Sequence, residues 1–272
     1  LCSAEAIRPF LPEVAPPEAT VRISLRYHNG TYEIDLPARS GIQVVGQDYP
    51  PPLAGLEAAL RTALAAPVRS LPLEKLIPPS GRISILISDL TRGSSAGRIL
   101  PLLLRFFEER GAGPDRVGVI LARGMHGSRS AGEIEAHLGR DVVERWSVSE
   151  HDAMDRLSLR EVGTTPAGTR CLFSARVVES ALVVTLGEVS FHYFAGYGGA
   201  RKLVLPGVSG EETILANHRL SLRRDPAEGL SDGCRSGTLD GNPVHEDMLA
   251  GARLLDARLF AVNAVADGAG NV

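Results

Sequence analysis

The chain has 272 residues, of which 44% are hydrophobic and 22% are charged, and its net charge is −3. This composition is ordinary for a globular protein with a sizeable core. The negative net charge excludes a generally basic surface of the kind that binds nucleic acid. No run of about 18 apolar residues occurs, which argues against a membrane span. The three cysteines lack CxxC spacing, which predicts a protein of the reducing cytoplasm without a thiolate metal site.

The first predicted elements follow a proline-rich N-terminal arm of residues 1–20. Residues 21–37 alternate apolar and polar on both sides of Asn29-Gly30, which predicts a β-hairpin with a tight turn. The Ala and Leu content of residues 53–66 predicts a helix.

Buried strands and helices then alternate along the rest of the chain. Strands are predicted at 83–88, 116–124, 180–190 and 259–267, and helices at 96–113, 130–139 and 242–257. Ser130 and Glu133 form a capping-box pattern at the start of one of these helices. The alternation predicts an α/β fold with a mostly parallel sheet flanked by helices.

Polar clusters follow three of the predicted strands, at residues 89–92, 123–126 and 190–192. Ligand sites of open α/β sheets lie outside the carboxyl ends of the strands, so we expect these clusters to converge on one edge.

The first two clusters each allow two interpretations. Residues 89–92, "DLTR", lie between a strand and a helix, where Thr91, Arg92 and backbone N–H groups could hold an anion. Alternatively the segment is a plain turn in which Asp89 or Thr91 caps the helix.

Two histidines also allow two interpretations each. His126 is either a functional loop residue or a surface histidine. His151, beside Asp152, is either a metal ligand or a structural residue.

The segment "FHYFAGYGGARKLVLPG", residues 191–207, carries the strongest signal. Its glycines permit a close approach of the backbone to a ligand, and Lys202 lies in an apolar setting. Desolvation lowers the pKa of a lysine and makes its amine nucleophilic, whereas a solvated surface charge is the alternative. His218 follows sixteen residues later.

Together these segments resemble the nickel-dependent lactate racemase family. The matching motifs cover about residues 83 to 247, in the order of the family, and they are "DLTR", "GMHGSRSAGEIEAHLG", "EHD", "FHYFAGYGGARKLVLPG", "ETILANH" and "GNPVHED". The resemblance implies a lactate-racemase-like N-terminal α/β domain over residues 21–272.

The resemblance also implies a cofactor, a nickel pincer pyridinium mononucleotide joined to a lysine through a thioamide. Lys202 matches that lysine, His218 matches the nickel ligand, and His126 and His192 match the two acid–base residues. The residues that inherit cofactor contacts are Asp89, Leu90, Thr91 and Arg92, and Arg92 would also hold the substrate carboxylate.

The implied reaction is the racemisation or epimerisation of a 2-hydroxy carboxylic acid. The α-hydrogen leaves as hydride to the cofactor while a histidine takes the hydroxyl proton, and one histidine on each face lets the hydride return to either side. The implied partners are the small 2-hydroxy acid and the enzymes that make the cofactor, with no nucleic acid and no membrane.

Two departures from the family stand out. Ala200 lies where a glycine is expected and could crowd the cofactor, and family members have a second domain that this chain lacks or has in truncated form. Two other functions stay open: an anion- or nucleotide-binding module on the same fold, and a zinc-dependent hydrolase that uses His126, His151 and His192.

Overall fold

The computed structural model describes residues 19–27, 30–38, 41–43, 51–89, 95–223, 225–255, 258–267 and 272. The chain divides into two compact units, residues 1–50 and 51–272. The predicted arm boundary at residue 20 stays a prediction, since residues 1–18 lie outside the described residues. Among the described residues, no helix combines the length and the apolar character that a bilayer crossing requires.

The first unit contains the predicted hairpin. Strands β1 (Thr20–Tyr27) and β2 (Gly30–Pro37) pair antiparallel, with Tyr27 opposite Gly30. Arg22 Nε donates to Asp35 Oδ1 across the pair at 2.8 Å. The hairpin prediction is confirmed, although Asn29 itself lies outside the described residues.

The second unit holds the other strands and the helices. Its strands are β3 (Ile83–Ser88), β4 (Val117–Ala122), β5 (Ser147–Glu150), β6 (Leu159–Thr164), β7 (Arg170–Ser174), β8 (Leu182–Glu188), β9 (Phe191–His192), β10 (Gly196–Tyr197) and β11 (Arg258–Ala264). Its α-helices are α1 (Leu56–Ala65), α2 (Leu73–Leu76), α3 (Ala96–Glu108), α4 (Ala131–Leu138), α5 (Arg140–Arg145), α6 (Ala175–Val178), α7 (Ala200–Val204), α8 (Glu211–Arg219) and α9 (Pro243–Arg253).

Five strands form a parallel sheet in the order β11-β8-β3-β4-β5. The strands β3, β4 and β8 are buried on both faces, as their nearly continuous apolar sequences require. The predicted fold class, a mostly parallel sheet flanked by helices, is confirmed. The short edge strand β5 was not predicted, because its sequence, "SVSE", lacks the apolar run of the central strands.

Each face of the sheet packs against an apolar core, and alternate residues of one strand enter different cores. Ile85 belongs to the core that includes Leu103 and Phe107 of α3, whereas Leu86 belongs to the core that includes Met248 of α9. Burying one such side chain contributes about 1.5–3 kcal/mol, so the two cores fix the sheet and leave its carboxyl edge for polar groups.

The predicted capping box begins α4. Glu133 N donates to Ser130 Oγ at 3.3 Å, and Ser130 N donates to Glu133 Oε2 at 2.9 Å. The helix therefore starts where the sequence predicted, directly after the loop that carries His126.

Candidate active site

A cavity of about 610 Å³ lies at the carboxyl edge of the sheet. The neighbouring strands β8, β3 and β4 end there, which is where open α/β sheets place their ligands. Its lining includes Asp89, His126, His192, Lys202 and His218, which come from four separate segments of the chain. The expected convergence of the strand ends is therefore observed, while Leu90, Thr91 and Arg92 lie outside the described residues.

On one side of the cavity, a carboxylate holds His126. Asp89 follows β3, and its Oδ2 is hydrogen-bonded to His126 Nδ1, while Arg129 Nη2 lies 3.5 Å from Asp89 Oδ1. Arg129 N also donates to Glu150 Oε1 at 3.0 Å, at the end of β5. The carboxylate fixes the imidazole through Nδ1 and leaves Nε2 as the nitrogen for a reacting group.

Asp89 is not the residue that begins α3, and Thr91, the other candidate cap, lies outside the described residues. The residue before α3 is Ser95, whose side chain makes no capping hydrogen bond. Ser95 N instead donates to Glu188 Oε2 at 3.2 Å, so a carboxylate from the end of β8 lies at the start of α3. Asp89 is left to bind His126 and Arg129.

On the other side, His192 is only 8% exposed and is held by aromatic rings. The Tyr193 ring stacks on the imidazole at 5.1 Å between centroids, and the Phe194 ring meets it edge-on at 4.6 Å. Ala195 N donates to His192 Nδ1 at 3.2 Å, and His192 Nε2 lies 3.2 Å from Lys202 Nζ. Both ring nitrogens therefore have a defined partner.

Glycines bring Lys202 to the end of β8. A Cβ on Gly187 would lie 3.1 Å from Gly199 Cα, and a Cβ on Gly198 would lie 2.9 Å from the Glu188 carbonyl oxygen. Gly199, the residue before α7, has a φ of +94°, which favours glycine. These contacts join two backbone segments, so the predicted close approach of the glycines to a ligand stays a prediction. Ala200 is not among the residues that line the cavity.

The half-buried side chain of Arg201 shapes this loop. Its Nη2 donates to the carbonyl oxygens of Ala195 and Tyr197 at 2.8 and 3.0 Å, and its Nη1 donates to Gly198 O at 3.3 Å. Burial lowers the pKa of the guanidinium to about 10. Sequence reasoning did not predict this role, because an arginine beside a lysine is usually a solvated charge.

His218 projects from α8 into the same cavity lining. Burial lowers its pKa, and a proton on Lys202 would lower it further, so the imidazole is neutral near neutral pH. A neutral imidazole is the form that binds a metal ion. The neighbouring Asn217 anchors the helix, since its Nδ2 donates to the buried carboxylate of Asp247 at 2.8 Å.

His151 lies elsewhere. It is 3% exposed, it is not among the residues that line the cavity, and its Nε2 donates to the carbonyl oxygen of Ser209 at 2.8 Å. Burial is the main cause that lowers its pKa. This placement supports the structural interpretation of His151.

In the described part of the chain, no three His, Cys, Asp or Glu side chains are grouped to hold a metal ion, as a zinc hydrolase would need.

Several lining residues were missed by sequence reasoning. Glu188 ends β8, two residues before the predicted end of that strand, so a more accurate strand boundary would have identified it. Met125, Tyr193 and Leu215 also line the cavity, although they are 46%, 68% and 45% exposed. They give the mouth of the cavity an apolar rim.

The chain matches known proteins over most of its length. The family model for the lactate racemase N-terminal domain matches residues 27–230. The chain is 32% identical to a lactate racemase of Thermoanaerobacterium thermosaccharolyticum over 211 residues, and 33% identical to one of Lactiplantibacillus plantarum over 213 residues. Each alignment covers 78% of this chain and 48% of the relative, so the chain spans about half the length of these curated relatives.

Solved structures agree with the sequence matches. The lactate racemase apoprotein of Thermoanaerobacterium thermosaccharolyticum superimposes with a TM-score of 0.78 at 28% identity, covering 92% of this chain and 57% of that one. A Thermotoga maritima protein superimposes with a TM-score of 0.62 at 21% identity, covering 78% of this chain and 51% of that one. The second match supports the fold alone.

Proposed function

The chain belongs to the lactate racemase N-terminal domain family, and from this premise we propose that it is the cofactor-bearing part of a racemase or epimerase of a 2-hydroxy carboxylic acid. One observation carries the proposal: an amine, three imidazoles and two carboxylates line a single cavity. The proposed partners are the 2-hydroxy acid and the enzymes that make the cofactor. A cytoplasmic location stays a prediction from the cysteine content.

The cavity fits the nickel pincer mononucleotide that the resemblance implies. A volume of about 610 Å³ is in the range of small-molecule and cofactor sites. The described residues lack a three-residue metal group, so a metal ion here would take most of its ligands from an organic molecule. Lys202 would carry the cofactor and His218 would bind nickel, which accepts imidazole and sulfur ligands. When bound, the cofactor supplies an electron-poor carbon that accepts hydride from the substrate.

The two remaining histidines would move the hydroxyl proton of the substrate. His126 is oriented by Asp89 and has Nε2 available for this transfer. His192 Nε2 is hydrogen-bonded to Lys202 Nζ. Covalent attachment of that amine to a cofactor would therefore release His192 Nε2 for proton transfer. Arg92 would bind the substrate carboxylate, a role that follows from the resemblance.

Coexpression of the chain with the cofactor-making enzymes tests this proposal. We expect intact-mass and peptide mass spectrometry to show a sulfur-containing adduct on Lys202, together with nickel in the purified protein. The matched control is Lys202→Arg, which keeps a long polar side chain in α7 but offers no amine, and we expect it to carry no adduct. Unmodified Lys202 and the absence of nickel after coexpression would contradict the proposal and favour an anion-binding module.

A further inference from the structure

We propose that His192 has a second task, which is to hold the amine of Lys202 in its neutral, nucleophilic form before any cofactor is attached. A nucleophilic amine would serve the covalent attachment of a cofactor, and this part of the inference rests on the proposed function. The state of the amine itself follows from the hydrogen bonds of the cofactor-free chain.

The polarity of two hydrogen bonds carries the inference. Ala195 N–H donates to His192 Nδ1 at 3.2 Å, so Nδ1 accepts and carries no proton. A neutral imidazole then has its one proton on Nε2, and the partner of Nε2 at 3.2 Å is Lys202 Nζ. A protonated lysine offers only donors, whereas a neutral amine has a lone pair that can accept. Both hydrogen bonds of His192 can therefore form when Lys202 is neutral, with Nε2–H as the donor and Nζ as the acceptor.

The surroundings of His192 keep the ring in this orientation. The Tyr193 and Phe194 rings contact the imidazole at 5.1 and 4.6 Å between centroids, and the residue is only 8% exposed. A half-turn of the imidazole would put carbon atoms where the nitrogens are and would lose both hydrogen bonds. Aromatic packing and the Ala195 amide therefore fix which nitrogen faces Lys202.

The composition of the chain makes the choice of lysine informative. Of its 29 lysine and arginine residues, only Lys75 and Lys202 are lysines. A guanidinium stays protonated in proteins, so an amine at residue 202 provides chemistry that arginine cannot. Lys75 is exposed, and it serves as an internal reference for the reactivity of an ordinary lysine.

The test is competitive acetylation of the purified cofactor-free chain with a trace of acetic anhydride at pH 7. One acetyl group passes to the neutral amine, which loses a proton to water, and acetate leaves. The rates at the two lysines are compared by mass spectrometry of their peptides. An ordinary lysine is neutral in only roughly 0.04% of molecules at this pH, so we expect Lys202 to react about tenfold or more faster than Lys75.

Three variants assign the effect to His192. His192→Phe keeps a ring but removes the Nε2–H donor, and His192→Ala removes the donor while it opens access to the amine. We expect both to lower the Lys202 to Lys75 ratio about tenfold, the equivalent of one lost hydrogen bond. The matched control, His126→Phe, removes the histidine that is bonded to Asp89 and should leave the ratio unchanged.

Three results would overturn the inference: a wild-type Lys202 that reacts no faster than Lys75, a ratio that does not fall in His192→Ala, or an equal fall in His126→Phe. Greater access cannot slow acetylation, so a fall in the alanine variant is not steric. Circular dichroism checks that each variant is folded, and the Lys75 rate corrects for the amount of reagent. Because no cofactor is used, a reactive Lys202 that gains no adduct on coexpression would refute the proposed function alone.

Discussion

The cavity holds two candidate acid–base histidines in opposite settings. The side chain of His126 is 56% exposed and is bonded to the carboxylate of Asp89, with Arg129 close behind. His192 is 8% exposed and lies among aromatic rings, a backbone amide and the amine of Lys202. One imidazole is oriented by charge and the other by packing, so equivalent changes on the two sides should have unequal effects.

The difference follows from the backbone on each side. Asp89 and His126 follow the adjacent strands β3 and β4, where polar side chains reach one another directly. His192 and Lys202 belong to the glycine-rich segment after β8, whose course depends on residues without side chains. The first side should therefore respond to loss of charge, and the second to added bulk.

The largest expected effect comes from Gly196→Ala on the His192 side. Gly196 pairs with His192 across β9 and β10, its φ is +78°, and a Cβ there would overlap the carbonyl oxygen of Thr238. A left-handed alanine costs about 1–2 kcal/mol, and the backbone overlap adds to it, so we expect a loss of about 3 kcal/mol in the free energy of unfolding. Urea denaturation followed by circular dichroism measures the loss.

The matched change on the His126 side is Gly124→Ala. Gly124 also has a positive φ, +55°, but the nearest atom to an added Cβ, Pro206 O, would be 3.4 Å away. Only the conformational cost remains, so we expect a loss of about 1 kcal/mol. Equal losses at the two glycines would show that the His192 side is no more sensitive to bulk than the His126 side.

Sequence reasoning predicted four of the five strands of the parallel sheet. The strand Ile83–Ser88 was placed at its observed bounds, because a fully buried parallel strand is marked by an unbroken apolar run. The edge strand β11 was also predicted, since its sequence is largely apolar. The other edge strand, β5, was missed, because its residues are half-buried and largely polar and carry little of the apolar signal.

For the site, the sequence predicted which residues meet but not how they pair. The rule on strand ends and the resemblance together placed His126, His192, Lys202 and His218 near one edge, and all four line the cavity. The bond from Asp89 to His126 and the contact of His192 with Lys202 depend on side-chain reach between separate segments. Such pairings are set by loop geometry, which no local pattern encodes.

A second prediction concerns the charge on the His126 side. Asp89→Asn keeps the shape of the side chain but removes the negative charge that His126 and Arg129 share. Hydrogen bonds to charged groups contribute about 1.5–3 kcal/mol, and the exposure of His126 reduces that figure, so we expect a loss of about 1.5 kcal/mol in urea denaturation.

The control for this change is Asp152→Asn. Asp152 Oδ2 lies 3.6 Å from Arg123 Nη2, and its side chain is 51% exposed, so water screens the pair. We expect a loss below about 0.5 kcal/mol. If the two aspartates contributed equally, the burial of Asp89 would have no energetic role, and the contrast between a charged side and a packed side would fail.

The smallest expected effect is a pH dependence that comes from His151, a third histidine setting. It is held by the carbonyl of Ser209, beside Arg123 and Asp152, and burial lowers its pKa in the folded chain. The unfolded histidine titrates near 6.5, so below that pH the unfolded state binds more protons than the folded state. Stability is therefore complete above about pH 6.5 and falls as the pH decreases.

The variant His151→Gln isolates this contribution. Glutamine can still donate an N–H to the Ser209 carbonyl but does not titrate, so we expect the acid loss of stability to shrink by about 1 kcal/mol at pH 5.5. Urea denaturation of both proteins from pH 8 to pH 5 measures the slopes. The slope that remains comes from His137, His218 and His245, whose pKa values burial also lowers. Identical slopes in the two proteins would mean that His151 accepts a proton while folded. The Ser209 carbonyl would then not determine the charge of His151, in contrast to the Asp89 carboxylate beside His126 and the aromatic rings around His192.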